Sequence, residues 1–297
     1  MNITPIIKQI NSKNSQLKDI IRASIGGPTE DKINTVLSSY ETHCKLVGAF
    51  IANQLVGCLG YNVDSGQLVI RHLSVADDFQ HKKIATCLIR YILAFEDCHS
   101  ISASTDIDAK GFYKKLLFLC TKIDNRFDAE RFKCVYLKKQ IIITEKALEK
   151  LGYLSAKINE RYGYVMHAGD NFGESVINNP GPCGPFANEF YKAWNARFKN
   201  EVKIAFVMQN NPRECYHVAI ILPNNSLYDG GIGVHSEKIY LDKGLDIVVM
   251  SEYDYQLLDK HSYGLEREYP RYCPDFDLQE LTGIINNFLD ELYISLN

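Results

Sequence analysis

Within the 26 residues from Leu68 to Leu93 the chain changes its apolar period. Leu68–Val75 is rich in Val and Leu and reads as a strand. From Ile84 onward the apolar residues are Ile84, Leu88, Ile89, Ile92 and Leu93, which fall on one stripe of a helix with about 3.6 residues per turn. The polar stretch between them leaves room only for a loop and a helix start. A strand that delivers the chain directly into an amphipathic helix predicts mixed sheet-and-helix architecture, because each element needs the other to cover its apolar face.

The neighbouring elements follow from the same periods. Ile7–Ile10 and Leu17–Ile25 read as helix, before a turn at Gly26-Gly27-Pro28 and a further helix over Asp31–Tyr40. Lys45–Ala52 and Gln54–Asn62 are strands split at Asn53, which predicts a hairpin, and Asp64–Gly66 is a turn. Later, Thr144–Leu151 is a short helical pattern ending near Gly152, and Gly163–Gly184 is too rich in Gly, Asn and Pro for an extended helix. A helix beginning beside Cys183 carries Phe186, Phe190, Trp194 and Phe198 close to one face. Strands are predicted at Val202–Met208, Tyr216–Leu222 and Asp246–Met250. The polar and aromatic Tyr253–Tyr272 and an amphipathic helix at Leu278–Leu292 complete the chain.

Composition separates two halves. Over residues 1–150 there are 21 basic and 16 acidic side chains (+5), and over 151–297 there are 12 and 20 (-8), which together give the net charge of -3. Seven of the nine prolines also lie after residue 150. With 297 residues, two cores are expected. The near-neutral balance argues against a dedicated nucleic-acid binder. Nine cysteines cannot all pair within one chain, and no CxxC or Cys/His spacing suggests zinc, so reduced thiols and no metal site are expected. Neither a signal sequence nor a membrane span is legible, so a cytoplasmic location is expected, and export through a specialised system that uses no such signal is compatible with it.

The run Gln80-His81-Lys82-Lys83-Ile84-Ala85, following Leu68–Val75, resembles the pyrophosphate loop Q/R-x-x-G-x-G/A of the GNAT acyltransferases. Unpaired N–H groups at a helix start point at a diphosphate, and the helix dipole favours its charge. The resemblance implies a cofactor, acetyl-CoA or CoA, held by Leu73, Ser74, Val75, Gln80, His81, Lys82, Lys83, Ile84, Ala85, Thr86 and Tyr113. A second match is Gly111-Phe-Tyr-Lys-Lys-Leu-Leu-Phe118, similar to the family's F-Y-x-x-x-G-F element, in which Tyr113 protonates the departing thiolate. Cys134–Leu137 is then a late strand and Arg131–Lys139 an arm of the closing hairpin. Lys83 and Leu117 stand where the family has glycines. An amine acceptor must lose a proton, and His72 on the motif strand is the candidate base, with a structural histidine as the competing reading.

In the second half, Cys183 precedes a helix, a position that lowers a thiol's pKa. His217 on a strand and Asp229 after the turn Pro223–Ser226 complete a Cys-His-Asp order, in which His217 deprotonates Cys183 and Asp229 orients the imidazole. Gly-Pro-Cys183-Gly-Pro-Phe-Ala, Cys-Tyr-His217-Val-Ala and Leu-Tyr-Asp229-Gly-Gly resemble papain-like cysteine peptidases, C39-like ones in particular. That likeness implies Asn178 or Asn179 as an oxyanion donor. Cys215 is the competing thiol and His235 the reserve base, and Asp254 or Asp259 would orient a base in another strand arrangement.

The expected fold class is therefore α/β and α+β. It comprises a GNAT-like mixed sheet with helices over 1–142, a linker or connecting helix over 143–160, and a papain-like helix with antiparallel sheet over 161–297. The implied function is bifunctional: acetyl-CoA-dependent N-acetyl transfer to an amine-bearing small molecule or a peptide or protein, coupled to a thiol hydrolase or acyltransferase, with peptidase action included. A protein partner for the C-terminal domain is also expected. The alternative is a noncatalytic peptide- or protein-recognition module that keeps one or both folds.

Overall fold

Ala52 and Asn53 both take positive φ, 47° and 67°. That left-handed pair matches the twist of a two-residue hairpin turn, and β2 (Lys45–Ile51) and β3 (Gln54–Asp64) pair antiparallel on either side of it. The computed structural model describes residues 5–42, 44–126, 129–162, 183–210, 213–249 and 277–296. The chain divides into two units, Met1–Lys138 and Lys139–Asn297.

In the first unit β2 and β3 are joined by β1 (Ile6–Gln9), β4 (Gln67–Val75), β5 (Ser100–Thr105), β6 (Leu119–Arg126) and β7 (Ala129–Leu137). They form one seven-stranded sheet in the order β1-β2-β3-β4-β5-β7-β6. Only β4 and β5 run parallel; the other neighbours are antiparallel. The helix expected over Ile7–Ile10 is instead strand β1, paired with β2 from Ile6↔Phe50 to Gln9↔Val47. Four residues are too few to separate the two periods, and the open edge of β2 decides between them.

Helices α1 (Leu17–Arg22) and α2 (Glu30–Thr42) bury Leu17, Ile21, Ile33 and Tyr40 against Leu46, Phe50, Leu55 and Cys58 of the sheet. Helix α3 (Ile84–Phe95) buries the whole predicted stripe, Ile84, Leu88, Ile89, Ile92 and Leu93. Each such side chain contributes about 1.5–3 kcal/mol on leaving water. Just beyond α3, Glu96 accepts from the Tyr61 hydroxyl at 2.6 Å and pairs with Lys45 at 2.8 Å, tying the helix end to β3 and β2. Helix α4 (Ile107–Lys115) begins at Asp106, whose side chain accepts the Ala109 N–H at 3.0 Å.

Two departures mark this sheet. The β3–β4 register shifts between Gly60 and Tyr61. A Cβ on Gly60 would lie 1.9 Å from the Tyr40 hydroxyl oxygen, so the close approach of α2 requires glycine there. In addition, Cys120 and Cys134 face each other in the β6–β7 pairing and are joined as a disulfide, an exception to the expected reduced thiols that their opposed register makes possible.

The second unit places α5 (Glu145–Tyr162), α6 (Cys183–Asn195) and α8 (Leu278–Ile294) with a wholly antiparallel sheet of order β11-β10-β9-β8-β12. Its strands are β8 (Lys203–Asn210), β9 (Arg213–Ile221), β10 (Leu227–Asp229), β11 (Gly233–His235) and β12 (Asp246–Val249). A short α7 (Lys238–Leu241) precedes β12. The helix expected to stop near Gly152 runs on to Tyr162, so the segment expected as a linker or connecting helix is an 18-residue helix of this unit. Gly152 is on the exposed face, while Leu151, Leu154, Ser155, Ile158 and Tyr162 continue one buried face. That packing outweighs a mid-helix glycine cost of about 1 kcal/mol.

The aromatic residues of α6 form its anchor. Ring centroids of Phe186–Phe190, Phe190–Trp194 and Trp194–Phe198 are 5.6, 5.5 and 4.7 Å apart, and Tyr228 of β10 packs on Phe186 and Phe190 at 5.7 and 5.0 Å. The same cluster therefore fixes the helix that starts at Cys183 and the strand that ends at Asp229. No described helix is long and apolar enough to cross a membrane. Replacement of Gly60 by Ala is predicted to lower the stability of the chain by about 1–3 kcal/mol in urea unfolding, as Tyr40 is forced off its seat.

Candidate functional sites

Strands β4 and β5 pair only at Gln67–Val69 with Ser100–Ser102. Beyond that the two part, and β4 continues alone on that side to Val75 while remaining paired with β3 on the other. The Ala76 N–H donates to Val56 O at 2.9 Å, so by strand alternation the groups of Ser74 also face β3. Those of Leu73 and Val75 face the gap. Ser74 spends its hydroxyl on Ile20 O at 2.6 Å and is buried, so Leu73 and Val75 are the residues of this trio with backbone open to a ligand.

A short 3-10 turn at Asp77–Phe79 then leads to α3. His81 and Lys83 both have φ of 61°, and Lys83 is the residue before the helix. The first backbone bond there is Cys87 N–H to Lys83 O at 3.0 Å, which leaves the N–H groups of Ile84, Ala85 and Thr86 as the open donors of a helix start. The Lys83 side chain is exposed, as are those of His81 and Lys82, so the replacement of the expected glycine leaves the backbone shape intact. Leu117, the second glycine replacement, likewise takes φ of 66°. The Gln80 amide donates to Asp77 Oδ1 at 2.8 Å and to Val75 O at 3.4 Å, so it braces the loop. Lys82 Nζ sits 4.9 Å from the Phe79 ring centroid.

Tyr113 is buried on α4 with its ring edge-on to Phe112 and Phe118. Burial, with Asp106 nearby, pushes its phenol up to about 12, so it stays protonated at neutral pH. His72 stands on β4 opposite Gly60, and its Nδ1 lies 2.5 Å from the Tyr40 hydroxyl. Burial and the charge of Arg71 hold the imidazole below its usual pKa, which favours the neutral form. Sequence reasoning missed Tyr40. Nothing in the α2 pattern distinguishes a tyrosine that reaches a β4 histidine from an ordinary core residue.

In the second unit the predicted order becomes a contact. Cys183 opens α6 and lies within electrostatic reach of His217 of β9, while His217 Nε2 lies 3.0 Å from Asp229 Oδ2. The same carboxylate accepts the Gly231 and Ile232 N–H groups through Oδ1 at 2.8 and 2.6 Å, and its backbone oxygen accepts the Ser155 hydroxyl at 2.9 Å. Asp229 is 1% exposed, whereas Cys183 is half-buried. Burial opposes ionisation of the thiol, but the hydrogen bond and charge of His217 and the Val218 N–H outweigh it, and the Cys183 pKa falls below its usual value. For His217 burial opposes the imidazolium, and the bonds to Asp229 and Cys183 prevail, raising it to about 10. The pair is thus shifted toward thiolate and imidazolium, with Asp229 held ionised chiefly by His217 against the burial that opposes it.

His235, the reserve base, faces Asp229: its Nε2 is 3.7 Å from Asp229 Oδ2. The ring of Tyr240 on α7 touches both imidazoles, with centroids 5.7 Å from His217 and 5.6 Å from His235. Cys215 lies in β9, and its side chain is not among those described. Asn178, Asn179, Asp254, Asp259 and the segment Tyr253–Tyr272 lie outside the described residues. Ser155 and Tyr240 were not legible as site residues, because each belongs to an element that only the fold brings to β10.

Residues 43–118 match the family model described as acetyltransferase (GNAT) domain, a span running through β2, β3, β4, α3, β5 and α4. Among solved structures the chain is similar to a GNAT family acetyltransferase from Elizabethkingia anophelis with acetyl-CoA bound, at 17% identity over 45% of this chain and 98% of that one, with a TM-score of 0.37. It is also similar to an acetyltransferase from Thermus thermophilus, at 16% identity over 46% and 98% with a TM-score of 0.39. A third is the IAA acetyltransferase from Bacillus cereus, at 14% identity over 45% and 99% with a TM-score of 0.37. No curated protein matches.

The left-handed Lys83 generates a prediction about stability. A side chain in that conformation costs about 1–2 kcal/mol, and glycine returns about 0.4–1 kcal/mol of that through its freer unfolded state. Lys83→Gly is therefore expected to stabilise the chain by about 0.5–1 kcal/mol in urea unfolding.

Proposed function

We propose that the first unit is an acetyl-CoA-dependent N-acetyltransferase acting on a primary amine. The observation that carries this reading is the family match over residues 43–118, which spans both the parted β4 and the open helix start of α3. The residues present fit the group: the amides of Ile84, Ala85 and Thr86 are donors for a diphosphate, with His81, Lys82 and Lys83 beside them. The backbone groups of Leu73 and Val75 suit the amides of a pantetheine arm. Acetyl-CoA supplies the acetyl group as a thioester. His72, kept neutral by burial and by the charge of Arg71 and oriented by Tyr40, is the group to accept the proton of the amine. Tyr113, which holds its phenolic proton at neutral pH, is the group to donate one to a departing thiolate.

A second reading concerns the other unit and is favoured by the Cys183–His217–Asp229 contacts. We take residues 139–297 to be a papain-like thiol hydrolase or acyltransferase. Cys183 attacks an acyl carbonyl of a peptide, isopeptide or related substrate, His217 returns the proton to the leaving group, and Asp229 keeps the imidazole in register. The acidic balance of this half suits a basic peptide.

Each half has its own test. Titration calorimetry of the full chain with acetyl-CoA is expected to show saturable one-site binding, and no detectable heat or competition by CoA would remove the first reading. Once an amine acceptor is turned over, Tyr113→Phe is expected to lower kcat about 10²-fold with the acetyl-CoA dissociation constant unchanged. At pH 6.5, iodoacetamide is expected to alkylate Cys183 about 10²-fold faster than in His217→Ala, because an ordinary thiol is only about 1% ionised there. Equal rates would favour a noncatalytic recognition module.

A further inference from the structure

We propose that His235 is a positioning residue of the thiol site, a second imidazole on Asp229 that binds a proton at Nε2 and then competes with His217 for Asp229 Oδ2. This rests on the thiol reading of the second unit. The geometry begins with Nδ1, which lies 2.9 Å from Gly233 O. A carbonyl only accepts, so Nδ1 carries the hydrogen of the neutral ring and Nε2 carries a lone pair. That nitrogen is buried and has no hydrogen-bond partner among the described residues, on a side chain 6% exposed, and it faces Asp229 Oδ2 at 3.7 Å. One buried acceptor aimed at another is an arrangement that a proton on Nε2 resolves, by turning the opposed pair into an N–H donor and a carboxylate.

Asp229 Oδ1 is already filled by two backbone N–H groups, and Oδ2 already takes His217 Nε2. A charged His235 must therefore share Oδ2. Its positive charge offsets part of the carboxylate that stabilises and orients the His217 imidazolium, so the hold of Asp229 on the ring that serves Cys183 weakens. Among the described residues the titratable groups packed around His235 are Asp229 from β10, His217 from β9 and Tyr240 from α7. Burial holds the imidazole below its usual pKa against the opposing pull of Asp229, so the ring is neutral at neutral pH and the competition begins in the acid range.

The test follows Cys183 alkylation by iodoacetamide from pH 4 to 9 on the full chain, resolved by peptide mass spectrometry. In the wild type the rate is expected to fall on the acid side more steeply than the tenfold per pH unit of a single protonation, approaching about 100-fold. His235→Phe, which keeps a ring against Tyr240, should restore a single-proton limb and react about tenfold faster near the foot of the wild-type curve. A wild-type profile in His235→Phe overturns the role of His235 while leaving the thiol reading standing. A Cys183 no more reactive than an ordinary thiol in the wild type removes both. Should the variant not fold, 15N imidazole spectra of the wild type decide: His235 is expected as the Nδ1–H tautomer at neutral pH, gaining its Nε2 proton over the range where alkylation slows. An Nε2–H tautomer at neutral pH contradicts the proposal.

Discussion

Beyond Val69 and Ser102, β4 and β5 stop sharing hydrogen bonds, and a strand inside a sheet is left with one open side. Backbone donors and acceptors without partners carry a cost that a protein retains only where something else fills the space. Three features meet at this opening. The turn after Val75 brings the N-terminus of α3 to it, the buried stripe of α3 fixes that helix against the sheet, and the positive φ of His81 and Lys83 aims the first amides outward. Gly57, where a Cβ would come 3.0 Å from Ile84 and 3.1 Å from Ser74 O, lets β3 pass close beneath the helix start. Strand, loop and helix thus form one corner, and what it offers a ligand is backbone more than any side chain.

The second unit depends in the same way on a single buried group. Asp229 engages both carboxylate oxygens and its carbonyl, drawing on β9, on the turn that follows β10, and on α5. Tyr228, one residue earlier, packs against the aromatic face of α6 and donates its hydroxyl to Leu151 O at 3.1 Å. The helix bearing the thiol and the strand bearing the carboxylate therefore share one hydrophobic anchor. His217, 14% exposed at its side chain, lies between them as the group that couples a half-buried thiol to a sealed charge.

The change of period at residues 68–93 made β4 and α3 legible, since a long apolar stripe has one solution. The hairpin at Asn53 and the approach of His217 to Asp229 were legible for local reasons as well: turn chemistry in one case, short sequence separation between antiparallel neighbours in the other. Ile7–Ile10 was not, because its structure is decided by the edge of β2 rather than by its own four residues. Gly152 misled in the opposite direction, since a glycine on an exposed face leaves a buried stripe unbroken. Lys83 and Leu117 stand where the resembled family has glycines, and both adopt the left-handed backbone that glycine favours. Tyr40, Ser155 and Tyr240 act across 32, 74 and 5 residues, on His72, Asp229 and His235 respectively, and only the fold assembles those pairs.

Everything proposed for the first unit turns on the open backbone of β4 and α3 being the place where acetyl-CoA is held. Amide hydrogen exchange of the full chain with and without CoA tests it most directly. Protection is predicted at Ile84, Ala85 and Thr86 and at Leu73 and Val75, while the β2–β3 hairpin stays unchanged. Binding of CoA without added protection at those amides, or protection confined to the second unit, would contradict it.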